Sequence, residues 1–332
     1  MKVGKIPSEE LKEIVFSSIT HRREEVLVRP GIGEDCAVVD FGQYACVLST
    51  DPITAAIKDI GKLAIHISCN DVASNGVEPL GIMMTILAPI GTTKEDLKLV
   101  MEDANRAASE INVEIIGGHT EITDAVNRMV ISTTAIGKQP KEKMISTKGA
   151  QEGDIVVMTK HAGLEGASII ASDYYDYLKN KMDIDALHKA KDFSKELSVV
   201  KEGKVAGELR ANSIHDVTEG GILGALWELA EASSLGIEVD IEAIPIRQET
   251  LEICQIMGID PYRLISSGVM VMTIPLDRLD SLIEGLKFIG VDGTPVARII
   301  RGNRLIKKNG NLIPLQPPDT DEIYRVFDKS YK

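Results

Sequence analysis

Apolar residues recur at helical spacing at Leu97, Val100, Met101, Ala104, Ala107, Ala108 and Ile111, which predicts an amphipathic helix. Thr92 and Glu95 stand where a capping box would open it. Residues 8–19 begin as another amphipathic helix, and Leu63–Ser74 reads as a helix stopped by Asn75-Gly76. Leu80–Leu87 is an apolar strand, and Ala37–Val39, Tyr44–Ser49, Val113–Ile116 and Met129–Ile136 are short β-rich runs, with Gly117-Gly118 expected to break the chain between the last two. Strands outnumber helices in this half. That favours a mixed or largely antiparallel sheet covered by helices over a doubly wound nucleotide fold.

The polar segment Gly137–Gly153, with Lys138, Lys141, Lys143 and Lys148, marks the expected boundary between an N-terminal domain (1–148) and a C-terminal domain (149–332). Beyond it, Asp154–Lys160 reads as a strand, and Glu165–Leu178, Val199–Leu209 and the strongly apolar Ile222–Ala232 read as helices. Strand signals return at Ile237–Ile241 and Val269–Ile274, and Asn309-Gly310 between Arg304–Lys308 and Leu312–Leu315 is a hairpin signal. The expected fold is therefore two-domain, α/β followed by α+β.

Composition narrows the function. Only 4% of the residues are aromatic, so the cores must rest on Ile, Val, Leu, Ala and Met. A net charge of −13 disfavours nucleic acid as a partner, and an anionic nucleotide would need a local cation, most simply Mg²⁺ held by carboxylates. Cys36, Cys46, Cys69 and Cys254 form no C-x-x-C pair and read as reduced thiols, with Cys46 and Cys254 as core filler. The opening Met1–Pro7 lacks the apolar stretch of a signal peptide, and no apolar run reaches about 18 residues, so a cytoplasmic protein without a membrane span is expected.

Candidate chemistry lies at the ends of elements. Gly31-Ile32-Gly33-Glu34 delivers Asp35, Asp51 closes a β-rich run, and Lys62, His66 and Asn70 follow one another along one side of a helix that also carries Asp71. For any one acid, a solvated carboxylate is the simpler reading. Convergence of Asp35, Asp51 and Asp71 would supply oxygen ligands for Mg²⁺ on nucleotide phosphates. Gly117-Gly118-His119-Thr120-Glu121 gathers backbone freedom, a titratable ring, a hydroxyl and a carboxylate, against the plainer alternative of a glycine turn with a surface histidine. Asp216–Gly221 precedes the apolar helix, where Asp216 either faces a ligand or, like Thr218, caps the helix. His161–Gly166 reads as a tight connection, and no Gly-x-Ser-x-Gly elbow is present.

The ordered set Gly33–Val38, Ser49-Thr50-Asp51, Gly61–Ala64, Asn70–Ala73, Gly76–Pro79, Gly117–Glu121 and His215–Gly221 resembles the aminoimidazole-ribonucleotide (AIR) synthetase superfamily. Asp216–Gly221, Gly236–Val239 and Ile244–Arg247 resemble most its HypE-like hydrogenase expression/formation branch. The resemblance implies an N-terminal sheet that pairs with its copy in a homodimer, and ATP in a cleft between the domains. It implies Asp35, Asp51 and Asp71 as metal-phosphate residues, and Lys62, Asn70, Gly117, Gly118 and Thr120 as nucleotide contacts. His119 and Glu121 are implied as an acid–base or substrate-orienting pair, and Asp216 as a second-domain acid facing the same cleft. The implied reaction is Mg-ATP-dependent phosphorylation of an amide or carbonyl oxygen, on a small molecule or a partner-bound amide. The alternatives are a small-molecule kinase resembling thiamine-monophosphate kinase and a non-catalytic nucleotide-binding assembly partner. HypE proteins that make cyanide carry the carbamoyl group on a C-terminal cysteine, whereas this sequence has no cysteine after Cys254, so a different reaction or lost catalysis is expected on the same fold and ATP site.

Overall fold

The computed structural model describes residues 6–54 and 59–327. The sequence readings on residues 1–5 and on the tail 328–332 lie outside them.

The N-terminal domain contains α1 (Ser8–Ile14), β1 (Val26–Val28), β2 (Ala37–Phe41), β3 (Tyr44–Ile53), α2 (Ile60–Ala73), β4 (Pro79–Pro89), α3 (Lys94–Glu110), β5 (Glu114–Thr123) and β6 (Val130–Pro140). Its sheet runs β1-β2-β3-β6-β4-β5, antiparallel except for the β4–β5 pair. Residues of β6 alternate between buried and less buried, as a sheet covered on one face requires. Helix α2 is buried almost all round because it packs on this sheet, on α3 and on the second domain. Gly61 lets α3 approach, since a Cβ there would lie 2.4 Å from the Val100 carbonyl oxygen.

The C-terminal domain contains β7 (Ile155–Thr159), α4 (Leu164–Asp173), α5 (Tyr175–Leu178), α6 (Ile184–Asp192), α7 (Val200–Glu208), β8 (Ser213–Val217), α8 (Gly221–Ala232), β9 (Gly236–Asp240), α9 (Gln248–Met257), β10 (Val269–Ile274), α10 (Leu279–Phe288), β11 (Gly293–Ile300), β12 (Arg304–Lys308), β13 (Asn311–Pro314) and α11 (Glu322–Phe327). Its mixed sheet runs β13-β12-β9-β11-β7-β10-β8, with β12 parallel to β9. Every residue of β10 is buried: Val269 and Val271 face one core, Met270, Met272 and Ile274 the other. The second core is continuous with that of the N-terminal domain.

Four local expectations change. The capping box on α3 is Thr93 with Asp96, while the Thr92 hydroxyl donates to the Pro89 carbonyl. Gly117-Gly118 do not end a strand. β5 runs through them, with a register shift opposite Ile82 and Met83, and a Cβ on Gly118 would lie 1.8 Å from the Met84 oxygen. β6 extends to Pro140, so the polar stretch between the domains begins later than its composition suggests. Glu165–Leu178 divides at Tyr174 into α4 and α5. The β12–β13 hairpin is present, and positive φ at Asn309 (49°) and Gly310 (77°) matches the turn that pair favours.

Two features fix the joint between the domains. Lys160 Nζ donates to the carbonyls of Glu196, Ser198 and Gly268 and pairs with Glu202 at 2.6 Å, fixing the loop ahead of α7. Asn70 on α2 then bridges that loop, donating to the Leu197 carbonyl at 2.8 Å and accepting from the Val199 amide at 2.9 Å. Gly203 on α7 lies against α2 so closely that a Cβ would sit 2.3 Å from the Ala73 carbonyl oxygen. Gly203→Ala is expected to lower unfolding free energy by about 1–3 kcal/mol through overpacking. Urea denaturation checks this, and an unchanged midpoint would show that the contact relaxes freely.

Candidate active site

β2 and β3 pair with Ala37 opposite Leu48, so extending the register brings Asp35 and Asp51 to one end of the hairpin. Asp71 reaches the same end from α2, which packs over β3, and Asp216 arrives from β8 of the other domain. All four line one cleft of about 1800 Å³ between the domains. Their convergence registers on the Cys36 thiol, which donates to the Asp71 carbonyl at 3.1 Å. Burial raises its pKa well above the usual thiol value, and the charges of Asp71, Asp35, Asp216 and Asp51 add to the effect.

The acids are crowded. Burial, then Asp216 and Asp51, raise Asp71 well above the carboxylate range, and burial, then Asp35, do the same to Asp216. The Ser49 hydroxyl donates to Asp71 Oδ2 at 2.5 Å and lies 3.4 Å from Asp51 Oδ2. His215 is held between Asp35 Oδ2 at 2.8 Å and Glu228 Oε2 at 3.3 Å. Burial alone would lower its pKa, but Asp35 and Glu228 outweigh burial and raise it well above the ordinary value, favouring imidazolium. Asp35, His215 and Asp216 bring their polar atoms within 4.8 Å of one another, and with the imidazole protonated only the two carboxylates can act as ligands. The carboxylate oxygens gathered here suit a hard cation such as Mg²⁺.

The other sequence candidates divide. Lys62 lines the cleft, its helix end held by a bond from its amide to Asp103. Asn70 does not reach the cleft, because both ends of its fully buried amide are used at the domain joint. His119 and Glu121 do pair, at 3.0 Å, but on exposed β5, outside the cleft together with Gly117, Gly118 and Thr120. Burying this group would require a neighbour on the open edge of β5. The turn that β5 leads into, Asp124–Arg128, lines the cleft instead. Neither Asp216 nor Thr218 caps α8. Gly220 occupies the cap, and its amide is bonded to Asp321 Oδ2 at 2.7 Å. The His161–Gly166 segment is a tight connection, with the Gly163 amide bonded to Ser266 Oγ and the Gly166 amide to the Ile265 carbonyl.

Arg128, Glu165, Ser267 and Tyr324 also line the cleft and were not singled out in the sequence. Arg128 sits in what reads as an ordinary polar turn. The other three come from segments far apart in the chain, with no motif to join them.

A two-domain fold with acids from both halves at one interdomain cleft defines a class that the comparisons specify. The profile of the AIR synthase related protein N-terminal domain matches residues 33–139, and that of its C-terminal domain matches residues 151–306. A hydrogenase expression/formation protein of Methanocaldococcus jannaschii is 31% identical over 295 residues, covering 86% of this chain and 84% of that one. The carbamoyl dehydratase HypE of Bradyrhizobium diazoefficiens is 27% identical, covering 77% and 74%. Among solved structures, HypE in a HypE–HypF complex superposes with a TM-score of 0.78 at 26% identity, over 93% of this chain and 99% of that one. A HypE solved with ATP shares the fold at 0.73 and 21% identity, over 98% of both chains. The chain belongs to the AIR synthase-related family, within its hydrogenase expression/formation branch.

Two outcomes follow from this geometry. Asp71→Asn removes one crowded charge, so the metal-free variant should melt above wild type. The raised pKa values of Asp71 and Asp216 mean that their neutral forms suit the fold, a contribution present at low pH and lost as pH rises through the folded values. The variant's advantage should therefore grow with pH in thermal melts, and an advantage that shrinks with pH would contradict the crowding. Asn70→Leu should cost about 2–4 kcal/mol by stranding the buried Leu197 carbonyl and Val199 amide. A denaturant midpoint equal to wild type would exclude that role.

Proposed function

We propose that this chain is a Mg-ATP-dependent, HypE-like enzyme that phosphorylates an amide or carbonyl oxygen and so turns it into a leaving group. The observation that carries this reading is the meeting of Asp35, Asp51, Asp71 and Asp216 at one cleft large enough for a nucleotide and an acceptor. Their oxygens would hold magnesium, which when bound supplies neutralisation of charge on a transferring phosphoryl group. Lys62 and Arg128 are the cations among the described residues lining the cleft, and they orient the phosphates. His215 holds Asp35 in place through its Nδ1. Positioning within a walled cleft suffices for phosphoryl transfer without a protein nucleophile. The family relatives named as carbamoyl dehydratase support oxygen activation of a carbamoyl group, and the HypE–HypF complex supports a protein partner.

The active form in this reading is a homodimer formed through the N-terminal sheets. β5 leaves one edge unpaired, and Leu80, Met83, Ile116 and Ile122 are exposed large hydrophobics on β4 and β5. An acid–base role for His119 and Glu121 requires this dimer, whose interface would enclose their strand. No described helix is long and apolar enough to cross a membrane.

Asp51→Asn is expected to abolish Mg-ATP binding or turnover, and a wild-type ATP titration in that variant would reject the assignment of Asp51. ³¹P NMR should show ADP and free phosphate, with an acceptor lighter by one water in mass spectrometry, while accumulation of a stable phosphorylated acceptor would favour a kinase. Ile116→Arg should convert a dimer to a monomer by light scattering. A monomeric wild type would remove the dimer from the proposal.

A further inference from the structure

The wall of the cleft contributed by the C-terminal domain is built from the start of α4, the Ile265–Ser267 segment, the Thr218-Glu219 turn and α11. Two buried polar groups on this wall have no assignment in the mechanism. Glu165 is 6% exposed and Ser267 1% exposed, and the Ser267 hydroxyl and amide lie close enough to the Glu165 carboxyl to lower its pKa, although neither Glu165 Oε2 nor Ser267 Oγ completes a well-formed hydrogen bond. Both line the cleft. Buried polar atoms without partners are rare in folded proteins, and apolar side chains at these positions would pack more cheaply. Neither residue is loose. The Gly166 amide is tied to the Ile265 carbonyl at 3.0 Å, the Gly163 amide to Ser266 Oγ at 2.6 Å, and the Ser168 hydroxyl to the Glu165 carbonyl at 2.8 Å.

The charges around Glu165 set what it can bind. The charges that act most strongly on it are Glu219, from the turn before α8, and Asp321, ahead of α11, and the Tyr324 hydroxyl lines the same wall. Both charges are acids. Lys62 and Arg128, the cations among the described lining residues, come from the N-terminal domain. An anionic acceptor placed against this wall would meet carboxyl groups without a neighbouring cation. A neutral carboxyl group instead presents one O–H donor and one C=O acceptor side by side, which matches the C=O and N–H of a primary amide.

We propose that Glu165, with Ser267 beside it, is the acceptor-selecting pair of the cleft, joining a primary amide through paired hydrogen bonds and turning away carboxylate and phosphate-ester acceptors. The assignment rests on the ATP-dependent reading above and adds to it the group that chooses the acceptor. Burial raises the Glu165 pKa to about 7, the approach of Ser267 pulls it partly back, and Glu219 and Asp321 push it up again. The donor O–H is thus present below about 7 and lost above it, so amide binding weakens as pH rises.

The test uses the full chain saturated with Mg²⁺ and a nonhydrolysable ATP analogue. Calorimetry compares three acetylated N-methylamide probes that differ only in side chain: glutamine, glutamate and phosphoserine. Wild type should bind the glutamine probe about tenfold tighter than the other two near pH 6, an advantage that fades towards pH 8. Glu165→Met, which keeps volume and removes both polar atoms, should erase the preference while nucleotide affinity stays within about twofold. Glu165→Gln keeps a donor and an acceptor but cannot ionise, so it should retain the preference with a flat pH profile. If the methionine variant fails to fold by circular dichroism, the glutamine profile decides alone. A wild type that binds nucleotide but shows no amide preference, a methionine variant that keeps it, or a glutamine variant with the wild-type pH profile overturns the assignment. Failure of wild type to bind the nucleotide analogue overturns the ATP reading instead.

Discussion

Four carboxylates from two domains share a poorly solvated end of one cleft, and their mutual repulsion is the constraint to which the surrounding structure answers. Charges brought close together in a medium of low polarity repel far more strongly than in water. Left alone, such a group would neutralise itself by taking up protons, which is the direction in which burial and neighbouring acids drive Asp71 and Asp216. The protein supplies partial relief through Ser49, which donates to Asp71, and through His215, a cation wedged against Asp35. What remains uncompensated is an appetite for an external cation. The metal-phosphate chemistry proposed here is a direct expression of that imbalance.

Holding the acids in place falls to the two sheets and to the joint between them. A single hairpin carries Asp35 and Asp51, so their spacing is fixed by strand register. Asp71 is fixed relative to them by α2, which lies over β3, and Asp216 by β8, which pairs with the fully buried β10. The position of Asp216 relative to the other three therefore depends on the fit of the two domains. Asn70 matters for this reason: one residue before Asp71, it ties the helix that bears the acid to the loop ahead of α7.

Much of this was readable in the sequence, and the failures have physical causes. Strands and helices with clear periodicity, such as α3, β10 and the Asn309-Gly310 hairpin, lie where the pattern places them. Asp35, Asp51 and Asp216 do reach one cleft from at or near the ends of strands, and Lys62 and Asp71 reach it from a face of α2 that also presents Leu63 and Ile67. Asn70 was legible as a polar residue on a helix side but not as a strut, since its partners are backbone groups more than a hundred positions away. The Gly117–Glu121 stretch differs for another reason: its glycines permit a bulged extended strand where a break was expected, and the cleft-lining residues follow it at Asp124–Arg128. Glu165 and Ser267 carry no motif, and only the folded chain brings them to one wall.

The close contact of Gly203 with Ala73 has a bearing on how the molecule works over time. With backbone seated on backbone at that point, and the Asn70 bridge beside it, the halves cannot swing apart like a jaw without breaking buried hydrogen bonds. The chamber is standing before any visitor arrives, so little reorganisation accompanies entry. Entry to the chamber then calls for local movement at the rim, not for a sweeping closure of one lobe onto the other.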